Sequence, residues 1–180
     1  METTQLILAT VLDMAMGFLV AIGWSMLFNT PKKALLVAGL LGGLGHSLRY
    51  LLLEGFGMSI ISATLAGTVL VGLLGISIAR KVDTPPVVFT MPACITMIPG
   101  LYAYHAMLGF VKIASGEAAL QDPMLIPETI RYTVLTASLL FTLSIGITIG
   151  SLLFRKKTAR EIVLHIPIFK FLQRQESSNK

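Results

Sequence analysis

Five apolar stretches, each near or above the length of about 20 residues that crosses a hydrocarbon core, occupy most of this chain. They run over 6–28, 34–53, 58–79, 87–113 and 132–154. A backbone surrounded by lipid must satisfy its own hydrogen bonds, so these stretches are expected to be helices. Charged residues make up 13% of the chain and mean hydropathy is +0.81, against a charged share of about 25% in water-soluble domains. The sequence therefore predicts an all-α polytopic integral membrane protein with five transmembrane helices over residues 1–154, followed by a basic tail over 155–180. The first stretch lacks a basic leader and is longer than a signal-peptide core, so it reads as a helix of the mature protein.

The net charge of +5 needs no nucleic acid to explain it. Lys32 and Lys33 follow the first span, Arg80 and Lys81 the third, and Arg155, Lys156 and Lys157 the fifth. With Arg160, Lys170, Arg174 and Lys180 they place eleven basic residues on one face of the membrane, against Lys112 and Arg131 on the other. The positive-inside rule then puts the N-terminus outside and the tail in the cytoplasm.

Turn chemistry separates the spans. Asn29-Thr30-Pro31 ends the first, Glu54-Gly55-Phe56-Gly57 turns between the second and third, and Asp83-Thr84-Pro85-Pro86 forces an extended loop before the fourth. Small residues recur at packing distance: Gly39 and Gly43; Ser59, Ala63, Gly67 and Gly75; Gly146 and Gly150. Such ridges let helices approach closely in lipid, either within the chain or against another subunit, including a second copy in a homo-oligomer. The tail alternates basic and apolar residues, which fits either an amphipathic segment on the inner leaflet or a frayed surface tail interrupted at Pro167.

Ionisable groups within spans are costly and are functional candidates by default. The first two spans hold three, Asp13, His46 and Arg49. At about 1.5 Å of rise per residue, Asp13 lies about 10 Å from the outer end of span one, with His46 about 10 Å and Arg49 about 6 Å from the outer end of span two. All three are expected at one level. An Asp13–Arg49 pair would reduce the cost of burying both charges, while Asp13 with His46 would suit a proton relay. The plainer alternative is that Arg49 snorkels outward and Asp13 is a structural partner.

Span four is long for one straight crossing and holds Pro92, Pro99 and Gly100. Each proline removes a backbone donor, and Pro99 suits the start of a second half-helix. The fourth helix is thus expected to break at Pro99-Gly100, with the Gly100, Leu101 and Tyr102 amides unpaired near mid-membrane. Such an end favours carboxylates, and discontinuous helices hold substrate in secondary transporters. Pro99, Gly100, Leu101, Tyr102, Tyr104 and His105 are the candidate substrate-binding residues. Carbonyls ending the first half would hold an ammonium group or coupling cation. A simple proline kink is the alternative.

Catalytic chemistry finds no motif. There is no GxxxxGK[ST] phosphate loop, HExxH zinc helix or GxSxG nucleophile elbow. Cys94 is the single cysteine, so cysteine metal clusters and internal disulfides are excluded. Ser47 beside His46 does not share its helix face. No enzyme activity, metal or cofactor is expected.

Asp13-Met14 in the first span, FNTPKKAL, GLGHSLRYLL, PACITMIPGLYAYHAM and VKIASG resemble the threonine/serine exporter (ThrE-type) family. More narrowly, they are similar to the small membrane subunit of its two-component members. The resemblance covers roughly Asp13 to Phe154, making 1–154 a transmembrane exporter-family domain. It implies export of threonine, serine or a dicarboxylate such as succinate across a bacterial inner membrane. It also implies a larger polytopic partner subunit of the same family. The competing classes are a non-transporting scaffold or assembly subunit and a homo-oligomeric channel.

Overall fold

A computed structural model describes residues 3–116 and 122–154. The basic tail expected over 155–180 lies outside the described residues. All regular structure among them is helical: α1 (Thr3–Leu27), α2 (Lys32–Tyr50), α3 (Ile60–Val82), α4 (Val87–Ile95), α5 (Gly100–Ala114) and α6 (Leu125–Phe154), with a π-helical turn Leu51–Gly55 prolonging α2. Four helices are each long and apolar enough to span a membrane. The pair α4 and α5, bent by 61° at the residues between them, passes the same test taken together and makes a fifth span when the two halves are counted as one. At nine and fifteen residues, α4 and α5 reach only about 13 and 22 Å, so neither crosses about 30 Å of hydrocarbon alone.

The helix ends follow from local chemistry. Asn29 takes a left-handed conformation with φ 53°, and the Thr30 amide returns to the Ser25 carbonyl at 2.9 Å while Asn29 bonds Met26 at 3.0 Å. This closes α1 in a Schellman motif, after which Pro31 opens α2. Asp83 closes α3 in the same left-handed way. Ser59 caps α3 by accepting the Ser62 amide at 3.3 Å. The last helix departs from expectation: it begins at Leu125, seven residues before the predicted start of the span. The polar stretch Glu128–Arg131 continues the helix, started by an Asp122 carboxylate that accepts the Met124 amide at 2.9 Å.

Packing places α2 between α1 on one side and α3 and α4 on the other, with α6 against α3. The core joins Leu41, Val71, Phe89, Ala93, Cys94, Met97 and Leu143. The small-residue ridges serve contacts within the chain. Gly39 faces Phe18, Gly43 faces the Met14 backbone, Gly75 faces Thr90, and Gly146 faces Thr68. By contrast α5 packs against α6 alone among the described elements, which leaves Leu101, Tyr104, Met107, Phe110 and Val111 exposed.

Candidate functional site

The seam between α1 and α2 is built from glycines. A methyl at Gly17 would lie 3.0 Å from the His46 Cβ, and one at Gly43 would lie 2.7 Å from the Met14 carbonyl oxygen. At this close approach Asp13 Oδ2 meets His46 Nδ1 at 2.7 Å, with side chains only 18% and 29% exposed. With the carboxylate ionised, Nδ1–H is the donor and Nε2 is left to accept a proton.

The expected Asp13–Arg49 ion pair is not formed; Asp13–His46 is the one salt bridge among the described residues. His46 and Arg49 are one turn apart, yet α2 presents them to different neighbours. His46 lies against Gly17 of α1, whereas the Arg49 Cβ sits 3.6 Å from where a Gly67 methyl on α3 would be. Arg49 reaches instead to the break in span four, donating from Nη1 to the Met97 carbonyl at 3.2 Å.

The break itself is fully traced by its hydrogen bonds. Pro92 has no amide for the Val88 carbonyl, and Thr30 Oγ1 donates there instead at 3.4 Å. The Met97 and Ile98 amides tighten onto Cys94 and Ile95, each at 3.0 Å. Pro99, at φ −78° and ψ 59°, centres an inverse γ-turn in which the Gly100 amide donates to Ile98 at 2.8 Å. The Gly100 amide is therefore occupied, which corrects the expectation of three free donors. The Ala103 amide bonds Pro99 at 3.0 Å, and the Leu101 and Tyr102 amides have no partner among the described residues.

In an unbroken helix the Leu101 amide would bond the Met97 carbonyl, and the Tyr102 amide the Ile98 carbonyl. The break separates both pairs. It gives the Met97 carbonyl to Arg49 and the Ile98 carbonyl to Gly100, and so frees two adjacent amides. The position expected to attract a coupling cation thus already holds a tethered guanidinium. Met97 is buried in a notch cut by Gly45 and Gly67, which fixes the carbonyl that Arg49 meets. Gly100 is exposed, and nothing lies within 4 Å of a side chain built on it.

Tyr102 and His105 both stack on Tyr132 of α6, at 6.1 and 5.0 Å between ring centroids. Tyr104 meets His105 edge-on at 5.7 Å and otherwise points outward, 61% exposed. Tyr132 is the residue the sequence missed as part of the site. Its signal was present, an aromatic at the polar edge of an apolar span, but its partners lie on another helix.

The geometry predicts strong coupling between Asp13 and His46. Asp13→Asn and His46→Gln should each lower stability, and the double variant should cost less than their sum by about 0.6–2 kcal/mol. Unfolding in mild detergent over the four-member cycle measures it, and strict additivity would show that the contact carries no energy.

Helices long and apolar enough to span a bilayer, with a charge pair between two of them and a break between α4 and α5, define a polytopic membrane protein. The family model for threonine/serine exporters, ThrE, matches residues 13–153. The chain belongs to that family, a family of membrane transporters. No solved structure matches it.

Proposed function

We propose that the chain is the small subunit of a secondary exporter that moves small carboxylates with a larger polytopic subunit of the same family. Threonine, serine and dicarboxylates such as succinate share a carboxylate group. One observation carries the reading: the break frees the Leu101 and Tyr102 amides while the Arg49 guanidinium is held beside it on the Met97 carbonyl. Two amides at a helix start and a fixed cation are complementary to a carboxylate. Tyr102, Tyr104 and His105 then distinguish what the carboxylate is attached to, and the Asp13–His46 pair takes and releases the proton that drives export.

The orientation that goes with this reading has the N-terminus outside a bacterial inner membrane and the tail in the cytoplasm, as the basic residues predict. A second subunit has a natural place beside α5, which leans on α6 alone among the described elements and leaves Leu101, Tyr104 and Met107 exposed.

The test is efflux of labelled threonine, serine and succinate from cells carrying this chain, the larger family member, or both. Efflux of one substrate should appear only with both chains. Efflux with this chain alone would favour a homo-oligomeric channel, and full efflux without it would favour a scaffold. Gly100→Val adds bulk into open space, so it should insert and assemble normally while lowering efflux about tenfold or more, a barrier increase of about 1.4 kcal/mol. Undiminished efflux by a well-expressed variant would remove the break from the transport path.

A further inference from the structure

The guanidinium and the amides at the break belong to two different bodies. Arg49 sits on α2, which packs against α1, α3 and α4, whereas the Leu101 and Tyr102 amides open α5, which packs against α6 alone among the described elements. The linker between them offers little restraint. Nothing lies within 4 Å of a side chain built on Gly100, and a glycine accepts many backbone directions. Where the two amides stand relative to the guanidinium is therefore decided by how α5 is held on α6.

Among the described residues two contacts fix that hold. At Gly109 the helices come so close that any side chain there would run into Thr129. This contact lies about 14 Å along the helix from Gly100, so by itself it is a pivot about which the start of α5 could swing. Nearer the break, the Tyr132 ring of α6 stacks on Tyr102 at 6.1 Å and on His105 at 5.0 Å, inclined by 27° and 24°. Tyr102 and His105 are one turn apart on the same face of α5, so a single ring grips that whole turn in the stacked arrangement aromatic pairs favour. Tyr102 also carries one of the two amides on its own backbone. Tyr132 is itself half-buried, on a helix locked to α3 where Gly146 meets Thr68.

We propose that Tyr132 is the positioning residue of the break: its ring clamps the first turn of α5 and so sets how far the Leu101 and Tyr102 amides stand from Arg49. It acts through Tyr102 and His105 and touches no substrate itself. The placement of α5 stands on the stacking and packing, and only its consequence for transport rests on the exporter reading. The contacts are made by the ring face, so phenylalanine should serve where leucine should not.

Spin labels at Met107 of α5 and Leu36 of α2, both exposed, report the placement by pulsed electron resonance on the full chain in nanodiscs. Cys94, 1% exposed, stays unlabelled. Tyr132→Phe should reproduce the wild-type distance distribution, and Tyr132→Leu should shift and broaden it. The double variant Tyr102→Leu, His105→Leu strips both stacks from the α5 side; it should give the same displaced distances and carries the test if Tyr132→Leu does not accumulate. In cells carrying this chain and the larger family member, efflux of labelled threonine, serine and succinate is measured against internal concentration. For the exported substrate, Tyr132→Leu should raise the half-saturating concentration about tenfold, the scale of two lost ring stacks, while the maximal rate per molecule is retained. A lowered maximal rate with unchanged half-saturation and unchanged distances would make Tyr132 an ordinary packing residue and overturn the proposal. Leucine-like behaviour of Tyr132→Phe would overturn it too, as would raised half-saturation at wild-type distances, since the ring would then be touching substrate. Displaced distances with wild-type half-saturation keep Tyr132 as the clamp and remove the break from the transport path. Where no efflux appears in any arm, the distances alone decide, so the clamp and the exporter reading fail separately.

Discussion

Arg49→Ala is expected to abolish efflux and to lower stability, whereas Arg49→Lys restores most of the stability and little of the transport. The alanine variant leaves the Met97 carbonyl, held at 3.2 Å by the guanidinium, without a donor in a buried notch, at a cost of about 1–3 kcal/mol. Lysine supplies one donor and the charge, so the carbonyl is again satisfied. It does not supply the planar fork that holds one carbonyl and faces a carboxylate with its remaining N–H groups. Losing that charge-assisted contact of about 1.5–3 kcal/mol corresponds to about a 10- to 150-fold drop in rate. Efflux by Arg49→Lys equal to wild type would reduce Arg49 to a structural donor. Efflux and thermal midpoint read on the same preparations separate the two roles.

Gly42→Val should be the most damaging single change in the transmembrane bundle. A side chain there runs directly into the Ala21 methyl and lies 3.3 Å from the Gly17 carbonyl oxygen. Neither neighbour is the end of a flexible side chain. The helices must separate, and overpacking of this kind costs about 1–3 kcal/mol, to which the loosened packing along the rest of the seam adds. Parting α1 from α2 also opens the 2.7 Å contact between Asp13 and His46, so efflux should vanish along with stability. Gly23→Val is the control, on the facing helix α1 but with nothing within 4 Å of an added Cβ. Expression and thermal midpoint should match wild type in the control and fall sharply in Gly42→Val; equal behaviour of the two would show that the seam is not close-packed.

Much of the molecule was legible because a bilayer makes local sequence decisive. An apolar run long enough to cross hydrocarbon has one way to satisfy its backbone, so span positions followed from composition and length. Asn29, Asp83 and the prolines end or interrupt helices through their own backbone chemistry, whatever surrounds them. For the same reason the division of span four at Pro99-Gly100 was readable. The start of α6 was not, because Glu128 and Arg131 look like loop residues by polarity while the helix they belong to extends beyond the apolar part of the span.

Partner choice was a different matter. Sequence spacing put Asp13, His46 and Arg49 at a common depth, but depth leaves open which way each helix is turned. That turn is set by interhelical contact: Gly17, Gly42 and Gly43 draw α1 onto the His46 side of α2, and Gly67 receives Arg49 on the other side. The carboxylate therefore met the imidazole, and the guanidinium went to a carbonyl 48 residues away. Tyr132 entered the site only because α5 bends away at the break and comes to lie along α6. Span length and helix breaks are decided by what the backbone must do within one segment. Pairing across helices depends on rotation about each axis, which only the packed surfaces of the neighbours determine.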